Sequence, residues 1–102
     1  DYIVIARGDL GNVMPLSELP KVQAYIAKVC KEHNKNFMVV TQMLDSMIRN
    51  PYPTRAEVND IYHAVHQGAN ALMLTGETAH GRYPVEAMKM LVETANGSLE
   101  EL

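Results

Sequence analysis

Three short polar strings follow apolar runs in this chain: Arg7-Gly8-Asp9-Leu10-Gly11, Thr41-Gln42-Met43-Leu44-Asp45-Ser46 and Thr75-Gly76-Glu77-Thr78-Ala79. In the first, Asp9 offers oxygen to a hard cation, and Gly8 and Gly11 let the backbone turn tightly so that main-chain N–H groups point at a ligand. Arg7 could pair with a carboxylate or a phosphate. A plainer reading accounts for the same residues: a strand-to-helix turn with Asp9 as N-cap and Arg7 in solvent. Taken alone, the string favours that plainer reading.

The elements that must position these strings follow from apolar spacing. Tyr2-Ile3-Val4-Ile5-Ala6 reads as a buried strand, and residues 11–16 as a loop. Ser17-Glu18-Leu19-Pro20 is a helix start, with Val22, Tyr25, Ile26, Val29 and Cys30 recurring on one face until about His33. His33-Asn34-Lys35-Asn36 breaks the helix, and Phe37-Met38-Val39-Val40 is a second strand. Asn50-Pro51-Tyr52-Pro53 is a rigid loop, because neither proline can continue a helix. Thr54 and Glu57 then form a capping box before a helix with Val58, Ile61, Tyr62 and Val65 inward, ended by Gly68 at C′. Ala71-Leu72-Met73-Leu74 is a third strand. Pro84 opens a last helix with Val85, Met88, Leu91, Val92 and Ala95 inward; Gly97-Ser98 loosens it, and the tail Leu99 to Leu102 frays.

The order is βαβαβα, which implies parallel strands joined by right-handed crossovers. In parallel α/β folds ligands bind at the carboxyl ends of the strands, where all three polar strings fall. Right-handed crossovers also put every helix on one face of the sheet and leave the other bare, whereas parallel sheets are normally buried on both. Either more chain completes the structure or copies cover one another. The chain starts inside a strand with no initiator Met, which suggests that Asp1 is not a natural start and that the chain is a piece of something larger.

The 102 residues, 47% hydrophobic and 21% charged, suit one globular domain's worth of material. Nine basic against twelve acidic residues, with no basic block, argue against nucleic acid or anionic membrane as main partner. No apolar run approaches the roughly 18 residues of a membrane helix, and no signal-like leader is present, so the cytoplasm is the default. The one cysteine, Cys30, excludes an internal disulfide and reads as buried filler.

The strings ARGDLG, TQMLDSM, PYPTRAE and LTGETAHGRYP, in this order and spacing, strongly resemble pyruvate kinase over nearly all 102 residues. The match is to the last three βα units of its catalytic (β/α)8 barrel. A whole barrel takes about 250 residues, so residues 1–102 would be a partial barrel domain. The resemblance implies transfer of the phosphoryl group of phosphoenolpyruvate to ADP, giving pyruvate and ATP. It implies Asp9 as a ligand of Mg²⁺ or Mn²⁺, and Arg7, Gly8 and Asp9 as the substrate-binding strand end, their N–H groups cradling the carboxylate. Thr41 is implied as the threonine that reaches the substrate. Thr75 stands where the family commonly has serine, in the relay that protonates enolpyruvate, and Glu77 follows it. A homo-oligomer is implied as well.

Some positions depart from the family's pattern. Asn12-Val13-Met14 replaces Val-Glu-Ile, so an acidic residue is missing; Tyr52 stands for a common arginine, and His80 and Arg82 for Lys and Asp. The family's potassium and nucleotide residues, and the lysine and glutamate of the preceding strand, fall outside this chain, so alone it should be nearly inert. Two other readings remain open: a Mg²⁺-dependent aldolase or lyase on a related pyruvate-handling barrel, and a non-catalytic α/β fragment that self-associates through its bare face.

Glu77 is as readily a turn cap as a site residue. His63 and His66, with Glu57 and Asp60 nearby, could suggest zinc, but solvated polar helix positions are the better reading. The seven methionines read as core and pocket filler.

Overall fold

In the computed structural model, which describes residues 2–100, three parallel strands lie in the order β1-β2-β3: β1 Tyr2–Ala6, β2 Asn36–Val40 and β3 Ala71–Met73. The helices are α1 Arg7–Gly11, α2 Leu19–Glu32, α3 Arg55–His66, α4 Gly76–Ala79 and α5 Pro84–Leu99, with single tight helical turns at Leu16–Glu18 and Asp45–Ile48. The expected βαβαβα order holds. Two of the polar strings, however, are coiled into the short helices α1 and α4 rather than left as open turns.

Register decides which side chains share a face. Ile5 pairs with Val39, and Val39 with Leu72; Val4 pairs with Met38, and Met38 with Ala71. The first set, with Phe37, faces the helices, and Ile5, Phe37 and Val39 are wholly buried. The second set faces away from them, leaving Tyr2, Val4 and Met73 exposed. The bare face expected from crossover handedness is therefore present. The reading of β1 as a buried strand is corrected as well: Ile5 alone is buried, Tyr2 and Val4 lie on the bare face, and Ile3 is exposed although it shares the side of Ile5.

The helix faces agree with the sequence pattern in part. On α3, Ile61 and Val65 are buried as expected, along with Ala64, and Tyr62 lies at the margin, stacked on His66. The capping box forms in full, Thr54 accepting from the Glu57 N–H and Glu57 from the Thr54 N–H. Gly68 takes φ +96°, the left-handed C′ conformation that glycine adopts without strain. On α2 the buried stripe is Gln23, Ala27 and Cys30, so Tyr25 points to solvent instead of inward. On α5 it is Ala87, Leu91 and Ser98, while Val85, Met88 and Val92 are 61%, 45% and 48% exposed. Gly97 and Ser98 continue α5 without loosening it. Of the tail expected to fray, Leu99 closes the helix and Glu101 and Leu102 lie outside the described residues.

Candidate functional site

Parallel pairing brings the three polar strings to one end of the sheet. Ala6 pairs with Val40 and Val40 with Met73, so Arg7, Thr41 and Leu74 are the next residues at the same level. Arg7, Gly8 and Asp9 make the first turn of α1, directly off β1. Asp9 is exposed and stands in that first turn rather than at the N-cap, which is Ala6. The first N–H groups of a helix have no partner within it, so this end of β1 presents donors.

Gly8 is packed rather than loosely turned. A Cβ at this position would stand 3.0 Å from Thr41 Cγ2 and 3.7 Å from Thr41 Oγ1, so the absence of a side chain lets the ends of β1 and β2 meet. Neither Gly8 nor Gly11 has positive φ. The left-handed backbone falls instead on Thr41, φ +83°, and Gln42, φ +59°. For a β-branched residue this is a conformational outlier, and such positions cost about 1–3 kcal/mol each unless their surroundings impose them.

Those surroundings consist of charged side chains reaching from separate elements. The Arg7 guanidinium donates through Nε and Nη2 to the Thr41 carbonyl at 3.2 and 2.7 Å, and through Nη2 to Met43 Sδ at 3.0 Å. Its Nη1 pairs with Asp60 Oδ1 at 2.7 Å. Arg7 is thus occupied within the protein, and Asp60, expected as a solvated helix position, is its half-buried partner. Glu77, 1% exposed, accepts the Leu44 N–H and the Thr75 N–H, both at 2.9 Å, tying the segment after β2 to the one after β3. Glu57 accepts from the Ser46 N–H at 2.8 Å and from the Ser46 hydroxyl, tying the same segment to α3. Burial raises the Glu57 pKa, but the hydrogen bonds from Ser46 and Thr54 outweigh it and hold the carboxyl below its ordinary value.

Thr75 is exposed just before α4, with its carbonyl accepting from the Thr78 and Ala79 N–H groups. Among the described residues no group of three or more His, Cys, Asp or Glu side chains could hold a metal ion. Asp9 is a suitable oxygen donor for Mg²⁺, but a hard cation takes six or more oxygen ligands, so Asp9 fits as one member of a set completed by other groups.

A model of the pyruvate kinase barrel domain matches residues 1–88. The chain belongs to the pyruvate kinase family. It is 51% identical over 102 residues to a pyruvate kinase of Thermotoga maritima, all of this chain aligning with 22% of that protein. Over 91 residues it is 53% identical to a pyruvate kinase of Chlamydia muridarum, 89% of this chain aligning with 19% of the relative. In shape it matches the crystal structure of a pyruvate kinase from Cryptosporidium parvum with a TM-score of 0.97 at 36% identity, covering all of this chain and 21% of that one. The chain thus spans about a fifth of the length of these relatives. The fold is accordingly a set of βα units of a pyruvate kinase barrel. Neither the aldolase reading nor that of a non-catalytic fragment is favoured by these matches.

Sequence reasoning missed Asp60 and the backbone of Thr41 and Gln42. The one signal for Asp60 is its place within the PYPTRAE helix, on the turn after the capping box. Nothing in the residue types announces positive φ at a Thr-Gln pair.

Proposed function

We propose that residues 1–102 are the last three βα units of the catalytic barrel of a pyruvate kinase, the enzyme that transfers the phosphoryl group of phosphoenolpyruvate to ADP to give pyruvate and ATP. The observation that carries this reading is the family match over residues 1–88, on a fold whose three polar strand ends gather at one end of the sheet.

In that reading the N–H groups at Gly8 and Asp9 hold the substrate carboxylate, and Arg7 serves binding by fixing the strand end beside them. Thr41 contacts the substrate from β2. Asp9 would hold a divalent cation, Mg²⁺ or Mn²⁺, which when bound neutralises charge on the carboxylate and phosphoryl oxygens. Thr75 takes part in a relay of hydroxyls and water that delivers a proton to the enol carbon, which needs an oriented donor rather than a strong base. Glu77 supports Thr75 from behind, because both of its carboxyl oxygens are engaged by main-chain N–H groups. Potassium, a homo-oligomeric assembly and a cytoplasmic location belong to the same proposal; among the described residues no helix is long and apolar enough to cross a membrane.

Complementation tests it. With flanking segments from a family member restored, the protein should form pyruvate from phosphoenolpyruvate only when ADP and Mg²⁺ are supplied. A folded full-length protein without that activity would sink the proposal. Carbon–carbon cleavage without nucleotide would favour the aldolase class instead.

A further inference from the structure

The Thr41–Gln42 backbone is left-handed at two successive residues that are not glycine. Unsupported, the chain would relax by turning φ negative and swinging the Thr41 side chain away from Gly8. The support that acts on Thr41 itself falls on its carbonyl oxygen, which accepts from two nitrogens of Arg7. A planar guanidinium can make that forked contact only while its orientation is fixed. A single partner fixes it on the far side: Asp60 Oδ1, 2.7 Å from Nη1, with the Arg7 side chain 12% and the Asp60 side chain 28% exposed. Met43 Sδ completes the cradle along the edge of the guanidinium. The path from α3 to the strand end is therefore Asp60, Arg7, Thr41 carbonyl.

We infer that Asp60 is a positioning residue for the phosphoryl-transfer site: through Arg7 it holds the left-handed Thr41–Gln42 backbone that sets the Thr41 side chain against Gly8. The inference rests on the reading of Thr41 as a substrate contact. Its geometric half, that Asp60 sustains the backbone, stands apart from any activity. Lysine cannot replace Arg7 in this arrangement, because one ammonium cannot reproduce the fixed fork.

The test uses the restored full-length enzyme carrying Asp60→Asn, alone and with Gln42→Gly. Loss of the charge weakens the hold on the guanidinium, so kcat should fall on the order of 10²-fold, the usual penalty for a misplaced contact, while the KM for ADP is unchanged. A crystal structure of Asp60→Asn should show Thr41 at negative φ. Adding Gln42→Gly should recover part of the lost kcat, since glycine removes the strain at the second of the two left-handed residues and lowers what the clamp must hold. Arg7→Lys should reproduce the loss even where its stability matches the parent's. Unchanged φ at Thr41 together with unchanged kcat in Asp60→Asn would overturn the inference. A loss of kcat that Gln42→Gly does not relieve, with Thr41 unmoved, would overturn it too, assigning Asp60 to general stability. An inactive wild-type parent would refute the functional reading instead, leaving the φ of Thr41 to decide the geometric claim.

Discussion

Glu57 illustrates how one side chain can carry a measurable pH response. Its carboxyl is held below the ordinary value because Ser46 and Thr54 donate to the charged form, outweighing burial. A group whose folded pKa is depressed adds stability above its unfolded pKa, and that stability is lost as pH falls through the folded value. Chemical denaturation between neutral and strongly acid pH should therefore show a decline that Glu57→Gln flattens; parallel profiles for the two proteins would exclude this role. Gly8 carries a steric prediction. Gly8→Ala puts a methyl 3.0 Å from Thr41 Cγ2, and the neighbour sits on a strained backbone, so about 1–3 kcal/mol of stability should be lost, as in other overpacked sites. Thermal unfolding reads the loss, and in the full-length enzyme kcat should fall with it.

At the scale of elements, the segment from Thr41 to Ile48 is pinned by α1, α3 and α4 through Arg7, Glu57 and Glu77. Glu77→Ala should be among the costliest substitutions in the chain, because it orphans the buried Leu44 N–H, at about 1–3 kcal/mol, and also releases the Thr75 N–H. By contrast, Thr54→Ala removes one side-chain acceptor at the start of α3 and should cost about 1 kcal/mol; equal losses for the two would contradict the pinning. The elements themselves were legible in the sequence. Strand starts, the capping box, Gly68 and Pro84 each impose a local backbone choice that tertiary packing did not override. Helix faces were less legible. On α5, Val85, Met88 and Val92 form one apolar stripe and Ala87, Met90 and Leu91 another, and hydrophobicity alone does not say which turns inward. Ala87 and Leu91 are the pair buried there, while Val85, Met88 and Val92 are left outside. The site was legible as three strand ends but not as a braced structure, since Arg7, Asp60 and Glu77 meet partners 34, 53 and 33 residues away.

The molecule as a whole is packed on one side and open on the other. Its radius of gyration, 13.3 Å, is that of a compact chain of about 100 residues, so the helix-covered layer is well formed despite the bare face. That face presents Tyr2, Val4 and Met73 around β2. The chain by itself should therefore associate, with apparent mass by light scattering rising with concentration. Val4→Asp should lower that rise without reducing helix content, whereas a clean monomer over a wide concentration range would count against the face as an adhesive surface. The open face also has a meaning in time. At roughly 5–20 residues per second of synthesis, a ribosome spends seconds on a stretch of this length. In the proposed barrel the covering strands precede this stretch, so they have already emerged when it is made, and its helices can settle against Ile5, Phe37 and Val39 while the opposite side chains meet strands already present. The earlier units are then the ones left uncovered on the ribosome, natural clients for holding chaperones, and the yield in a cell should depend on how quickly this stretch arrives to close the sheet.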